Sequence, residues 1–388
     1  MNSARSSPPT LRLLAVSLAA FVTLGLVDGA LGVAWPSIRE AFGRDISDLG
    51  LLLAFGSLGY LTASAGYGWL HSHLGTGHLL AIGGGLLVLG LTGFAASSQW
   101  LIVALAAILL GLGGGFVDTG MNAHAALGYD VGSINLLHAC YGVGATLGPV
   151  VITVSLVSTG AWRGGYALIA GSQILVALAI WARRGRWTGA EPDLSSDQPV
   201  STRRVQAWLM MALFFLYTGA EVGTGQWAFT LLTEGRGMST AAAGTWVAVY
   251  WGGLTVGRFG FGILGERLSP SRTIGGSLVI ALIGVGVVWL DPFELGAVGL
   301  PLAGLGFAAV FPTLVALTPA RIGRLRSTRS IGFQLAAANL GAAGVPWALG
   351  LVAGVFGVQA LAPGLFGAAV LLALLHFATD RGERSSAV

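Results

Sequence analysis

The sequence predicts an all-α membrane protein of twelve transmembrane helices, arranged as two six-helix bundles. Of its 388 residues, 54% are hydrophobic and only 9% are charged. A soluble domain is about 25% charged, so most of this surface faces lipid. The apolar residues fall into segments of about 20, the length that crosses a bilayer as a helix, joined mostly by short loops. A soluble enzyme, a disordered chain and a collagen are therefore excluded.

The longest polar stretch lies in the middle of the chain, at residues 183–204, and separates six apolar segments from six others. We therefore predict an N-terminal bundle at 1–185, a cytoplasmic linker at 186–205 and a C-terminal bundle at 206–388. The twelve predicted spans are 11–34, 46–69, 77–97, 101–127, 133–158, 164–182, 206–232, 240–264, 272–290, 295–318, 329–353 and 357–378.

The basic residues predict the orientation. The chain has twenty arginines and no lysine, and a cytoplasmic N-terminus leaves sixteen of them on the inside. Only Arg39, Arg44, Arg163 and Arg236 then lie outside, and an inside excess of basic residues is the rule for membrane proteins. Both termini are therefore predicted to be cytoplasmic. The composition, rich in Ala, Gly and Arg, indicates a bacterial inner membrane. The arginines form no single basic face, so we expect no nucleic-acid partner, and we expect a monomer.

The two halves share an internal repeat. Leu61-Thr62 in span two recurs as Leu254-Thr255 in span eight, and Gly113-Gly-Gly-Phe in span four recurs as Gly304-Leu-Gly-Phe in span ten. In spans five and eleven, one triplet of residues recurs at identical offsets: Ile134, Gly144 and Pro149 match Ile331, Gly341 and Pro346. Together these matches favour a duplicated bundle.

Three acids lie well inside the predicted spans: Asp28 in span one, Asp118 in span four and Glu221 in span seven. An ionisable group within a bilayer is costly, so such groups face the bundle interior and commonly serve transport. These three carboxylates are the candidates for proton coupling.

Polar side chains accompany Asp118. Residues four apart share a helix face, so Asp118 and Asn122 point together, while Asn135, His138 and Tyr141 form a second stripe on span five. Carboxylate, amide and imidazole groups donate and accept hydrogen bonds, which suits a hydroxyl-rich solute.

The arrangement resembles the major facilitator superfamily over essentially the whole chain. The family's loop signature, Gly-x-Leu-x-Asp-Arg-x-Gly-Arg, is approximated by the segment from Gly262 through Glu266 and Arg267 to Arg272. In the first half, residues 68–75 keep the glycines and lack the acid and the arginines. The resemblance implies that Glu266 and Arg267 latch a cytoplasmic gate. Arg258, near the inner end of span eight, is predicted to act at the gate or to snorkel to the interface.

A closer resemblance is to the fucose–galactose–glucose proton symporters. It rests on Asp118-Thr-x-x-Asn122 in span four, followed by Ile-Asn-Leu at 134–136. It implies that Asp118 is the coupling acid, that Asn122 is its partner, and that His138 stands where the family has a ligand-contacting Gln. The family's second acid falls on Gly32, and the resemblance leaves open whether Asp28, one helical turn earlier, replaces it.

Further solute contacts are predicted in the second half. Span seven, from Tyr217 to Trp227, is similar to the seventh helix of the same symporters. Trp227 in this span and Trp246, Tyr250 and Trp251 in span eight suit stacking on a sugar ring, although Trp and Tyr more commonly anchor helices at the membrane interface. The candidates in this half are Gln226, Trp227, Tyr250, Gln334 and Asn339.

These features predict a secondary transporter that takes up a monosaccharide or similar polyol with protons by alternating access. No catalytic residue is predicted, because no Gly-x-Ser-x-Gly segment occurs and no His/Cys/Asp set has metal-ligand spacing. His71, His73 and His78 fall in one predicted loop, where we expect no metal site. No cofactor is expected besides the coupling ion, with sodium as the alternative to the proton.

One other transport class stays open. The segment from Gly144 to Gly148-Pro149 in span five is similar to the glycine–proline motif of superfamily exporters. It lacks the paired glycines that follow in those proteins. The alternative interpretation is therefore a proton-driven efflux antiporter for drugs or metabolites.

Overall fold

The computed structural model describes residues 11–129, 131–187, 204–264, 269–322 and 327–385, and within these ranges the chain is helical. Its thirteen α-helices are α1 (Leu11–Ala41), α2 (Asp48–Leu74), α3 (Thr76–Ala96), α4 (Trp100–Gly128), α5 (Val131–Thr159), α6 (Arg163–Ala182), α7 (Arg204–Thr230), α8 (Thr240–Leu264), α9 (Pro270–Leu290), α10 (Gly299–Phe307), α11 (Val310–Ile322), α12 (Ser327–Phe356) and α13 (Leu361–Ser385).

The predicted fold class is confirmed. Eleven spans within the described residues are long and apolar enough to cross a membrane. Each of the twelve predicted segments is helical, and the one outside the eleven is α8. Its tryptophans, glycines, threonines and Arg258 lower its hydropathy.

The tenth predicted span is not one continuous helix. It is divided at Ala308 and Ala309 into α10 and α11. The break is caused by Pro312, four residues after Ala308. Proline has no N–H to donate to the Ala308 carbonyl, and its ring crowds that carbonyl. The Ala308 N–H itself bonds to the Leu305 carbonyl, a tighter turn than an α-helix has.

Two boundaries also differ from the predicted ones. The first helix continues through Pro36 to Ala41, whereas the predicted span ended at residue 34. The expected loop between the second and third spans is a single residue, Gly75, with a φ of 74°. His71 and His73 therefore lie in the last turn of α2, and His78 lies in the first turns of α3.

The chain forms two compact units. The first unit consists of Met1–Ala30 and Phe55–Leu194, and the second of Leu31–Ala54 and Ser195–Val388. Within the first, α3 packs along α4 and α6; within the second, α7 packs along α12, and α10 packs along α8 and α9. Because residues 188–203 lie outside the described ranges, the linker at 186–205 stays a prediction.

Glycines bring helices of the first unit into backbone contact. A Cβ on Gly144 of α5 would lie 2.0 Å from the Val22 carbonyl oxygen of α1, closer than any side chain tolerates. A Cβ on Gly111 of α4 would lie 1.9 Å from the Gly56 carbonyl oxygen of α2. Only glycine allows these approaches, as in other membrane helix pairs with small residues at the contact. Polar groups on α1 and α2 are thereby brought within hydrogen-bonding distance of α5 and α4.

The second unit uses repeated glycines in the same way. A Cβ on Gly341 of α12 would lie 2.0 Å from the Phe215 carbonyl oxygen of α7, so this glycine has the role of Gly144. Gly304 of α10 approaches the Tyr250 carbonyl of α8, as Gly111 approaches α2. By these contacts Gly304 corresponds to Gly111. The sequence match aligned Gly304 with Gly113 instead, two residues further along α4.

Within the second unit, the end of α1 and the start of α2 contact the segments around α7 and α12. A π-helical turn at Leu231–Gly235 follows α7 and carries Glu234. The Glu234 carboxylate forms an ion pair with Arg39, in the last turns of α1. Gly50 of α2 packs directly on Trp347 of α12.

Candidate functional site

Asp118 lies in α4, ten residues before its end, and both of its carboxylate oxygens are hydrogen-bonded. The Tyr60 hydroxyl of α2 donates to Oδ2 at 2.6 Å. The Asn122 amide, one turn along α4, donates to Oδ1 at 2.9 Å. The contact of α2 with α4 brings Tyr60 to this position, since Gly115 packs against its carbonyl. The half-buried carboxylate is therefore held by two uncharged donors.

Asp28 lies in the same unit and has a matching partner. The Tyr141 hydroxyl of α5 donates to its Oδ2 at 2.6 Å. The residues around it explain this placement, because Gly25 and Gly29 of α1 lie against the α5 backbone from Tyr141 to Ala145. The Asp28 side chain is exposed although it lies within an apolar helix. A charged group at such depth faces protein or water and not lipid.

The two acids belong to one group. Asp28 is near enough to Asp118 for their charges to repel, and His138 of α5 interacts electrostatically with Asp118. His138 is exposed and its ring packs edge-on against Phe21; Asn135, one turn earlier, is also exposed. We name Asp28, Tyr60, Asp118, Asn122 and Tyr141 the acid cluster. It consists of two hydrogen-bonded sets, Asp28 with Tyr141 and Asp118 with Tyr60 and Asn122.

The absence of a side chain at Gly32 has a steric explanation. A Cβ at this position of α1 would lie 2.7 Å from the Gln226 carbonyl oxygen of α7, within the second unit. An aspartate therefore does not fit at this position, to which the resemblance assigned a second acid. Asp28 presents a carboxylate one turn earlier on the same helix.

The third predicted acid forms an ion pair in the second unit. Glu221 of α7 is buried, and its Oε1 accepts a hydrogen bond from the Arg258 guanidinium at 3.0 Å. Tyr217 contacts both groups, and its hydroxyl donates to the Phe307 carbonyl. Arg258 thus binds a carboxylate of the neighbouring helix. Glu221, unlike Asp118, has a fixed cation beside it.

The other candidates of the second unit are mostly buried. The Trp227 indole donates to the Pro346 carbonyl at 3.0 Å, and the Tyr250 hydroxyl donates to the Glu221 carbonyl at 2.6 Å. Gln334 accepts a hydrogen bond from Thr318, also fully buried. These three side chains pack helices together in this conformation.

Two of the remaining candidates are described and two are not. Gln226 is buried beside Gly32, and the half-exposed Asn339 donates to the Leu335 carbonyl of its own helix. Glu266 and Arg267, the predicted gate pair, lie outside the described residues.

Sequence reasoning missed two tyrosines that complete these sites, Tyr60 and Tyr217. The available signal was their depth, because both lie near the middle of a predicted span and not at its ends, where tyrosine anchors helices. A mid-span hydroxyl needs a partner, as does a mid-span carboxylate.

The apolar helices define a multi-pass membrane protein. Residues 16–300 match the family model of the Major Facilitator Superfamily. The chain belongs to that family and is a transporter, not an enzyme.

Relatives and solved structures extend this assignment. The chain is 24% identical over 323 residues to the glucose/mannose transporter GlcP of Bacillus subtilis, with 78% of each chain covered. A variant of the E. coli fucose:proton symporter FucP has a similar fold, with 17% identity and a TM-score of 0.59 over 94% of this chain and 98% of that one. The nucleoside transporter NupG has 14% identity and a TM-score of 0.72 over 95% and 99%. The fold alone therefore does not select the solute.

Proposed function

We propose that the protein is a proton-coupled symporter of a monosaccharide or similar polyhydroxylated solute, with Asp118 as the coupling acid. The observation that carries the proposal is the pair of uncharged donors on Asp118, the Tyr60 hydroxyl and the Asn122 amide. Uncharged donors stabilise the carboxylate without fixing its charge, so proton uptake breaks no ion pair. The similarity to GlcP, a glucose/mannose transporter, and to FucP, a fucose:proton symporter, supports the solute class.

The acid cluster has the groups that a sugar requires. A sugar hydroxyl both donates and accepts, and carboxylate, amide and phenol groups supply the complementary atoms. Exposed Asn135 and His138 add an amide and an imidazole on α5. In our proposal the solute displaces some of the internal hydrogen bonds of this cluster, and proton uptake by Asp118 accompanies the change of conformation that gives alternating access.

The remaining candidates enter the proposal with distinct roles. Asp28 shares the proton site with Asp118, because the two carboxylates influence each other. The Glu221–Arg258 pair has no net charge, so it buries two ionised groups of the second unit without an uncompensated charge. We further propose an inner-membrane protein with both termini cytoplasmic, acting as a monomer and coupled to protons and not to sodium.

Uptake by proteoliposomes tests the proposal. Purified protein is reconstituted with an inward proton gradient, and accumulation of D-glucose, D-mannose, D-galactose and L-fucose is measured. Asp118→Asn is expected to abolish accumulation while keeping exchange of the same sugar across the membrane. Glu40→Gln, which changes an exposed acid at the end of α1, is the matched control and should accumulate normally. Failure of the folded wild type to accumulate any of the four sugars contradicts the solute assignment.

The antiport alternative predicts the opposite flux. The glycine–proline segment on which this alternative rests has a structural role. Gly148 packs against the Leu26 carbonyl, and Pro149 lies against Gly29. The glycine–proline segment therefore serves the contact of α1 with α5. Net export driven by an inward proton gradient in the same vesicles would establish the alternative.

A further inference from the structure

Arginines collect at one end of the first unit, where α3 begins and α6 ends. A short 3-10 turn, Arg184–Arg186, follows α6, and its Arg184 carbonyl lies so close to α3 that a Cβ on Gly77 would be 1.7 Å from it. Trp187, next in sequence, is buried in the same cluster as Leu13 of α1. This packing brings three segments to one end, and their cations are Arg12, Arg183, Arg184 and Arg186, with exposed His78 beside them.

Two exposed indoles indicate that this end of the first unit lies at the membrane surface. The Trp69 side chain is 69% exposed and that of Trp181 is 55% exposed. Tryptophan is enriched where lipid headgroups meet the hydrocarbon. The Arg184 guanidinium stacks over the Trp181 ring, 4.4 Å from its centre, and the His73 ring lies 4.8 Å from that of Trp69. The cations are thus placed at headgroup depth.

These arginines have no carboxylate partner among the described residues. Arg183 and Arg184 donate to carbonyl oxygens of their own helix, those of Ala179 and Trp181. The four ion pairs found in the described part of the chain all lie in the second unit. The acids of the first unit within the described ranges are Asp28 and Asp118, which bind tyrosines instead. A strong positive charge therefore faces the headgroup layer.

We propose that this surface binds the headgroup of an anionic phospholipid. We name Arg12, Arg183, Arg184, Arg186 and Trp181 the basic end of the first unit. A guanidinium matches the oxygens of a phosphodiester with two parallel hydrogen bonds, and basic residues at the bilayer surface attract anionic lipids. The bound lipid holds the Arg184–Arg186 turn against α3, and the Trp181 ring covers its glycerol backbone. This binding is independent of the transported solute.

Lipid titration of the full-length protein in detergent tests the proposal. Dioleoyl-phosphatidylglycerol is expected to raise the Tm and to stay bound in native mass spectra, whereas dioleoyl-phosphatidylcholine does neither. The double variant Arg184→Gln/Arg186→Gln should bind phosphatidylglycerol about thirtyfold more weakly, because each basic residue near the surface strengthens binding several-fold. Arg184→Lys keeps the charge and should recover only part of the affinity, since it loses the paired hydrogen bonds.

The control is Arg272→Gln, which removes an exposed cation of the second unit and should leave the affinity unchanged. An equal loss in this control would show general charge attraction and overturn the proposal. Equal stabilisation by phosphatidylcholine would overturn it as well. Inorganic phosphate is the third arm, and stabilisation by phosphate alone would indicate an ion site and not a lipid site.

Discussion

At the scale of single residues, the acids of the two units have different hydrogen-bond donors. Asp118 has hydroxyl and amide donors, whereas Glu221 has the guanidinium of Arg258. A buried ion pair keeps both charges, because removing one leaves the other uncompensated in a low dielectric. A carboxylate held by neutral donors has no such constraint. This contrast is the reason to place proton coupling in the first unit.

Tyr60→Phe tests the contact to Asp118. Losing a hydrogen bond to a charged group costs about 1.5–3 kcal/mol, so proton-driven uptake should fall about tenfold or more. The variant should still fold, with a lower Tm, because only the hydroxyl is removed. Tyr129→Phe is the control, since its hydroxyl bonds to Ser17 and not to an acid. Unchanged uptake in Tyr60→Phe would contradict the role given to this tyrosine.

Arg258→Gln tests the ion pair of the second unit. The single change leaves the Glu221 carboxylate buried without its cation, which should destabilise the protein by about 2 kcal/mol, a figure reduced because Arg258 is partly exposed. The double variant Arg258→Gln/Glu221→Gln should recover most of the loss in Tm. A double variant no more stable than the single one would show that the pair is unimportant.

The sequence was sufficient to find the carboxylates and Asn122, the partner of Asp118 on the same helix, but not Tyr60, its partner on another helix. A charged residue in an apolar span is visible in the sequence because its cost in lipid is large. Tyr60 is 58 positions away from Asp118, and only the packing of α2 on α4 brings them together. The reason for glycine at position 32 likewise depends on the Gln226 backbone of another helix.

At the scale of elements, glycine contacts decide which polar groups meet. Gly111 holds α4 against α2, and Gly144 holds α5 against α1. The positions and order of the twelve helical segments were predictable from hydropathy. The break before Pro312 and the continuation of α1 through Pro36 were not, because a proline breaks or merely bends a helix according to how its neighbours satisfy the freed carbonyl.

Gly111→Ala tests the contact of α2 with α4. Its Cβ would meet the rigid Gly56 carbonyl at 1.9 Å, so the helices must separate at a cost of about 1–3 kcal/mol. Tyr60 would then move away from Asp118, and both Tm and uptake should fall. Gly85→Ala in α3 meets nothing within 4 Å and should be neutral or slightly stabilising. Similar behaviour of the two variants would contradict the close approach.

At the scale of the whole molecule, the chain is a Major Facilitator Superfamily transporter whose duplicated halves use the same glycine contacts. The fold class could be predicted because lipid imposes one length and one polarity on every span. The solute could not, because chains with this fold include transporters named for fucose and for nucleosides.

Reporter fusions test the predicted orientation. A fluorescent protein that folds only in the cytoplasm, fused to the C-terminus, should fluoresce, and alkaline phosphatase at the same site should be inactive. The reason is the excess of arginines on the predicted inner side. Active phosphatase at the C-terminus would reverse the orientation.

The central claim is that Asp118 carries the proton that drives solute uptake. The most direct measurement is the proton flux caused by adding the transported sugar to proteoliposomes that contain a pH-sensitive dye and have no initial gradient. The wild type should acidify the vesicle interior when sugar is added outside, and Asp118→Asn should exchange sugar without any pH change. Sugar-induced acidification by Asp118→Asn at the wild-type rate would contradict the account.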